Sequence, residues 1–516
     1  MNNVIKQSGA LISPIELNMS ERLKEFFPVA APIILAVIFI AIRLFFGQQA
    51  FLYESALTVL ALMSFLTGSA FLITNLFVKA NYLNYAGLIS VALGYSFNLS
   101  GWMIRWIEAG EKEGWIKGRI WRYFPLDNLY SLTLGFCAGA ALATLFIIRN
   151  QKYRILGVIS MPIISVIMLQ AFFFGGEIRT LPPILNSYWL PMHVTTATFG
   201  YGAALVSFGI ALAYLIKDRI RIEAFAIVVS LLGLLILSVA CEGSVLFHAE
   251  YGPSVMFENQ ALPLHSVLPT VGIVMLMEIL ILLATLVLFI AGWDKTKPNL
   301  NIWGWRIFYL SIVIMGISIG LIFYQISQTT NPSVLATTRD YSGFGAFLAK
   351  QTQTNIPLTQ QAAVAQNWIS QNGSRLNLSY RSNPVEFAAL IALFVSLLMT
   401  ALIGLKREAV AEALPSLEML DGLLYRTVGV VVPLLTLLLI TGAVWANESW
   451  GRYWGWDPKE VSALVSWIAF SGYLHLRLVG GWKGRRSVYV VLLGFILVIF
   501  TWLGVSFLLP GLHSYA

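Results

Sequence analysis

The sequence predicts an all-α, polytopic helical membrane protein of about thirteen spans, with the N-terminus cytoplasmic and the C-terminus extracytoplasmic. Three observations carry this reading. First, 58% of the 516 residues are hydrophobic and only 11% are charged, with a mean hydropathy of +0.76; a soluble protein carries roughly a quarter charged residues. Soluble cores stop growing and divide into domains, so the apolar excess must face lipid. Second, the apolar residues gather into separate runs, each near the ~20 residues that a span requires. Third, Lys and Arg concentrate in alternate connections, which sets the direction of the chain.

Taken in order, residues 1–27 are a polar, cytoplasmic N-terminal segment, and the first run, 28–46, follows it as a retained anchor without a small-residue cleavage site. Further runs lie near 55–78, 83–103, 128–148, 155–175, 194–216, 223–241, 266–292, 305–327, 385–405, 427–445, 460–477 and 488–508. With the N-terminus inside, 20 of the 33 Lys and Arg fall on inner connections. Arg43 lies within a span, and Arg105, Lys112, Lys117, Arg119 and Arg122 form an exception in the segment 104–127. The net charge of +8 therefore belongs to one membrane face and not to a nucleic-acid site. Cys137 and Cys241, in or at the end of separate runs, read as packing residues, not as a disulfide or redox pair. Glu278, deep in the eighth run, is expensive in lipid and is expected to pair with a neighbour.

One external segment differs from ordinary connections. It runs Trp445-Ala-Asn-Glu-Ser-Trp450-Gly-Arg452-Tyr453-Trp454-Gly-Trp456-Asp457-Pro458-Lys459-Glu460. An interfacial aromatic belt accounts for tryptophans at a span end. It does not account for glycines between the rings or for Asp-Pro-Lys-Glu opening the next helix. Flat apolar rings beside Arg452 and Lys459 suit a planar macrocycle with anionic propionates.

The five histidines are His193, His248, His265, His475 and His513. His193, at the outer start of the sixth span, and His513, beyond the outer end of the last, share a face with the tryptophan segment. Together they can supply both axial nitrogens to a haem iron, although either alone is more often a structural hydrogen-bonding residue. A helix rising 1.5 Å per residue carries His475 about 22 Å inward from Glu460. There it is either a snorkelling side chain beside Arg477 or a functional intramembrane group. His248 and His265 lack a tight metal-binding spacing and read as loop residues.

Residues 423–516 resemble the C-terminal half of system II cytochrome c synthases of the CcsA/ResC type, members of the haem-handling protein family with a tryptophan-rich motif. The matching stretches are Tyr425-Arg-Thr-Val-Gly429, Gly442-Ala-Val-Trp-Ala-Asn-Glu448, Trp454-Gly-Trp-Asp-Pro-Lys-Glu460, Tyr473-Leu-His475 and Leu512-His-Ser-Tyr515. Upstream, Arg105-Trp-Ile-Glu-Ala-Gly110, Phe124-Pro-Leu-Asp-Asn-Leu-Tyr130 and Ser187-Tyr-Trp-Leu-Pro-Met-His193 match as well. The resemblance implies that haem b is both bound ligand and substrate, received near the inner side through His475. It is then held at the external face between His193 and His513, against Trp445, Trp450, Trp454, Trp456, Asp457, Arg452 and Lys459. Apocytochrome c would present Cys-x-x-Cys-His, and its thiols would add across the haem vinyl groups. The alternatives are a haem carrier without ligase activity and, from another class, a transport or respiratory subunit. No inverted repeat of the kind many transporters carry is visible in the sequence.

Family members of this type are expected to be much shorter. The chain therefore divides into an N-terminal membrane region over 28–216, an inserted four-span region over 217–422 and a C-terminal haem-handling region over 423–516. The insertion carries an external segment, 328–384, either a small cap or disordered. An even number of inserted spans keeps the external sites on one face. Because the first three spans hold no histidine to complete a haem site at the depth of His475, a ResB/CcsB-type membrane subunit is the expected partner. The expected membrane is the bacterial plasma membrane, with the thylakoid membrane second.

Overall fold

A computed structural model describes residues 19–509 except 117–119, 127, 179–184, 186, 241–243, 259, 295, 330–331, 333, 336–337 and 506–508. Four residues singled out above, Lys117, Arg119, Cys241 and His513, lie outside the described residues. The apolar runs fold as helices in the predicted order. They are α1 (Met19–Phe46), α2 (Glu54–Val78), α3 (Asn81–Glu113), α4 (Leu129–Ile148), α5 (Gly157–Phe174), α6 (Trp189–Lys217) and α7 (Ile222–Ala240), with a short α8 (Ser244–His248) after them. The rest are α9 (Val271–Ala291), α10 (Pro298–Gln328), the short α11 (Thr338–Gln351) and α12 (Leu358–Asn372), α13 (Pro384–Leu405), α14 (Arg407–Ala413), α15 (Leu417–Trp450), α16 (Pro458–Leu478) and α17 (Arg485–Ile499). Among the described residues twelve helices are long and apolar enough to cross a membrane, and α7 is a shorter apolar helix. The chain is thus an all-α integral membrane protein.

The helices separate into two apolar cores. The first joins α1–α6 with α15–α17 and includes Phe65, Phe136, Trp445, Phe470 and Tyr473. The second joins α7, α9, α10 and α13, meets the end of α5 at Phe173, and continues into the segment after α10 through Phe344 and Leu376. Close approach needs small residues in a bilayer, where apolar side chains gain little by leaving lipid. Gly139 on α4 and Gly202 on α6 supply it: a Cβ at 202 would sit 2.4 Å from the backbone nitrogen of Ala140.

Of the exceptional basic residues of the segment 104–127, Arg105 has a structural reason. Helix α3 is 33 residues long, so Arg105 lies inside it and is 1% exposed. Its guanidinium donates to Ser131 Oγ at 2.7 Å and to the Gly176 carbonyl at 2.8 Å, and it faces the buried Glu54 carboxylate at 3.7 Å. Tyr130 and Thr58 donate to the same carboxylate. Arg43, also 1% exposed, makes a two-pronged ion pair with Glu111 at 2.9 and 2.6 Å. These charges are therefore helix-packing groups, not loop charges.

Two expectations need correction, and one alternative is decided. The run 266–292 begins its helix at Val271, because Gln260–Ser266 is a strand, β2, pairing antiparallel with β1 (Ser254–Phe257) and β3 (Val334–Leu335). This small sheet, with α11 and α12, makes the segment 328–384 a folded cap. Phe344 packs edge-on against Trp368 at 5.2 Å, and Phe257 meets the same indole at 4.9 Å. Glu278 does not pair among the described residues: it is 0% exposed and neither carboxylate oxygen has a hydrogen-bond partner there. Cys137 is a buried free thiol within the first core, as packing requires.

Candidate functional site

The tryptophan-rich segment is a tight helix–loop–helix corner whose grammar is written in its residues. Helix α15 has 34 residues and so runs about 51 Å, well beyond the ~30 Å hydrocarbon thickness. It ends at Gly451, whose φ of +69° lets its amide close on the Asn447 carbonyl at 2.9 Å. Helix α16 opens with a capping box: the Asp457 carboxylate accepts from backbone amides of the first turn, and Glu460 reaches back to the amides of Asp457 and Gly455 at 3.3 and 2.8 Å. Pro458 sits at the first helical position, where its missing N–H is no loss. Asp457 thus turns to its own helix, and its contribution to a site is to hold the loop in shape.

Beside this corner lies a half-open cavity, lined from α6 by His193 and Tyr201, from α15 by Gly442 and Trp445, from the loop by Tyr453 and Trp454, and from α16 by Lys459 and Glu460. Thr501 and Trp502 complete the wall. They come from the end of α17, which continues as a π-helical turn over Phe500–Gly504. Such turns are rare and frequent at functional sites. Phe136 of α4 holds the Trp502 indole edge-on at 4.8 Å.

His193 is the best-defined group in the cavity. Its Nδ1 lies 2.9 Å from the Leu438 carbonyl oxygen. A carbonyl only accepts, so Nδ1 carries the proton and, in the neutral ring, Nε2 presents its lone pair. The ring stacks on Trp445 with centroids 5.7 Å apart and planes 18° apart. Gly442 makes the room: a Cβ there would fall 2.7 Å from His193 Cε1. The start of α6 is tied to the end of α15 by Ser187, which donates to Glu448 and accepts the Trp189 amide.

The structure therefore brings His193, Trp445, Trp454 and Lys459 together in one cavity. Trp450 stands behind Trp445, edge-on at 5.0 Å. Trp456 is perpendicular to Trp454 at 6.0 Å and is 73% exposed, with φ +56°. The Arg452 guanidinium lies over Gly455, where a Cβ would meet it at 2.8 Å. His475 is at the opposite end of α16, exposed on the outside of the helix bundle. Nearby, Arg477 forms a two-pronged ion pair with Asp421 at 2.9 and 2.6 Å. His265 lies in β2 and His248 ends α8, away from the cavity.

Sequence reasoning missed Tyr201, Phe136, Thr501 and Trp502. None lies near the tryptophan segment in the chain, and each occupies an apolar run whose pattern reads only as lipid or core. Tyr453 and Glu460 were within reach, since both sit inside the segment itself.

The profile of the family described as "Cytochrome C assembly protein" matches residues 126–327 and 273–513. Several relatives carry the name "Cytochrome c biogenesis protein CcsA". The one from Synechococcus sp. is 27% identical over 464 residues, covering 89% of this chain and 91% of its own. That from Nostoc punctiforme is 27% identical over 415 residues, 80% of this chain and 82% of its own. The Guillardia theta protein is 36% identical over 223 residues, 39% of this chain and 73% of its own. An alignment as long as the first takes in the region 217–422, so that region has a counterpart among the relatives and does not set this chain apart from all of them. With the matched residues spanning most of the chain and both walls of the cavity, the chain belongs to the cytochrome c assembly protein family and is an integral membrane protein of cytochrome c maturation.

Proposed function

We propose that the cavity beside the tryptophan corner binds haem b as substrate and presents it to apocytochrome c for covalent attachment. The single observation that carries this reading is His193: an imidazole fixed by a backbone carbonyl, backed by an indole and given space by a glycine. The residues fit the group. The wall is aromatic and aliphatic, as a porphyrin face requires, and Lys459 stands at the polar side with Arg452 in the adjoining loop for propionates. His513 is proposed as the second axial ligand.

The protein's part in the reaction is placement. Each thioether forms when a cysteine sulfur bonds to a vinyl carbon while the thiol hydrogen ends on the neighbouring carbon, so electrons balance without an external oxidant. No acid–base residue is assigned. Fixing two vinyls against two thiols converts a bimolecular encounter into an oriented one, which by itself supplies large rate factors. Axial histidines also tune the iron's potential.

His475, exposed near the far end of α16, supports a complex. A ResB/CcsB-type subunit covering that face would remove an imidazole from lipid and add a second ligand at its depth. The test is purification of the complex followed by incubation with reduced haem and apocytochrome c alone. Covalent holocytochrome is expected, and a bis-histidine spectrum that falls at least tenfold in His193→Ala. Haem retained in full by His193→Ala overturns the site. A spectrum without covalent product leaves the protein a haem carrier.

A further inference from the structure

On the membrane face opposite the tryptophan corner, the two apolar cores do not close completely on each other. Where α13 meets the ends of α2 and α5 there runs a narrow apolar groove. Its walls come from helix ends that share this face. The end of α2 gives Ile73, Leu76 and Phe77, and the start of α5 gives Val158 and Ile159. The end of α13 contributes Met399, Leu402 and Ile403. One charged residue lines it, Lys406, an exposed cation whose Nζ stands 6.0 Å from the Phe77 ring centroid.

We propose that this groove holds one phospholipid with an anionic headgroup, its acyl chain laid between the two cores and its phosphate at Lys406. Three features favour that occupant. The groove opens at the level of the helix ends, where a headgroup meets its acyl chains, and its wall is aliphatic apart from one phenyl ring. Two cations nearby are already engaged: Lys217 donates to the carbonyls of Ala411 and Leu414 at 2.8 and 2.9 Å, and Arg407 to those of Arg219 and Ile220. Glu408, the nearest carboxylate in sequence, pairs with Arg219 at 3.2 Å. Lys406 therefore meets the groove as its cation, in the arrangement by which basic pockets between transmembrane helices select anionic lipids. The lipid would act as a bolt between the cores, independently of what the cavity on the other face binds.

The full chain, reconstituted in nanodiscs of phosphatidylcholine containing a minor share of phosphatidylglycerol and released into detergent, is read by native mass spectrometry. Retention of one phosphatidylglycerol per chain is expected. Lys406→Glu, a change at an exposed position, should lower that retention about tenfold, and Ile403→Trp, which fills the groove, should do the same. Lys483→Glu, an exposed cation elsewhere on this face, should leave it unchanged. Equal retention of phosphatidylcholine and phosphatidylglycerol by the unaltered protein overturns the proposal, as does full retention in Lys406→Glu.

Discussion

At the scale of single residues, the site depends on a contact that a one-carbon change would destroy. Gly442 lies against the His193 ring so closely that any Cβ must displace it. Gly442→Ala is therefore expected to reduce bound haem about as far as His193→Ala, at least tenfold, while leaving the circular dichroism of the purified protein unchanged. A variant with normal haem content would show that the ring has somewhere else to go. Asp457 makes a different prediction. Because its carboxylate caps α16, Asp457→Ala should cost about 0.5–2 kcal/mol of stability, with Asp457→Asn recovering most of it in thermal unfolding. Recovery of stability without recovery of haem content would give Asp457 a second role at the site. Glu278 offers a third. An unpartnered, fully buried carboxyl group costs roughly 1–3 kcal/mol, so Glu278→Met should raise the unfolding temperature in detergent. A drop would mean that the carboxyl serves the second core in a way its bonding does not reveal.

At the scale of elements, ion pairs fasten the ends of α1–α4 on the tryptophan face, and that of Arg105 with Glu54 is buried on both sides. Arg43 and Glu111 join α1 to α3, and Arg105 joins α3 to Glu54 on α2 and to Ser131 on α4. Removing one partner of a buried pair strands the other charge, at about 3–5 kcal/mol. Arg105→Ala is thus expected to destabilise by that order, and more than Lys112→Ala, whose contact with the Ile178 carbonyl is exposed at 3.2 Å. Comparable midpoints for the two variants in a thermal melt would remove Arg105 from the scaffold. The helices themselves were legible because an apolar run of span length has few alternatives. Their outer ends were not. Arg105 reads as a loop charge until the partners that bury it are known, and the strand before α9 hides inside a run whose only visible signal is apolar length.

At the scale of the whole molecule, the helices around the tryptophan-corner cavity belong to the first core and the cap to the second. Replacing 330–382 by a short Gly-Ser connection from α10 to α13 should therefore leave the haem spectrum of the purified protein intact. Loss of that spectrum with the protein still folded would tie the cap to the cavity. The corner itself was partly legible: Gly451, Asp457, Pro458 and Glu460 spell a helix stop and a capped start, so its position followed from local chemistry. Which indoles face the cavity was not. Trp454 lines it while Trp456, two residues later, points to solvent, because a positive φ at 456 turns the chain between them.

By itself, the sequence determined that this protein lives in a membrane and which apolar runs form its helices, because hydropathy acts over neighbouring residues. It also carried the family motif and the histidine at position 193. Only the tertiary structure decided that Trp502 and Thr501 line one cavity with His193, that Arg43 and Arg105 are buried with acidic partners, and that Glu278 has none among the described residues. Those outcomes depend on which helix faces pack together, and in lipid an apolar stripe looks the same whether it meets another helix or an acyl chain.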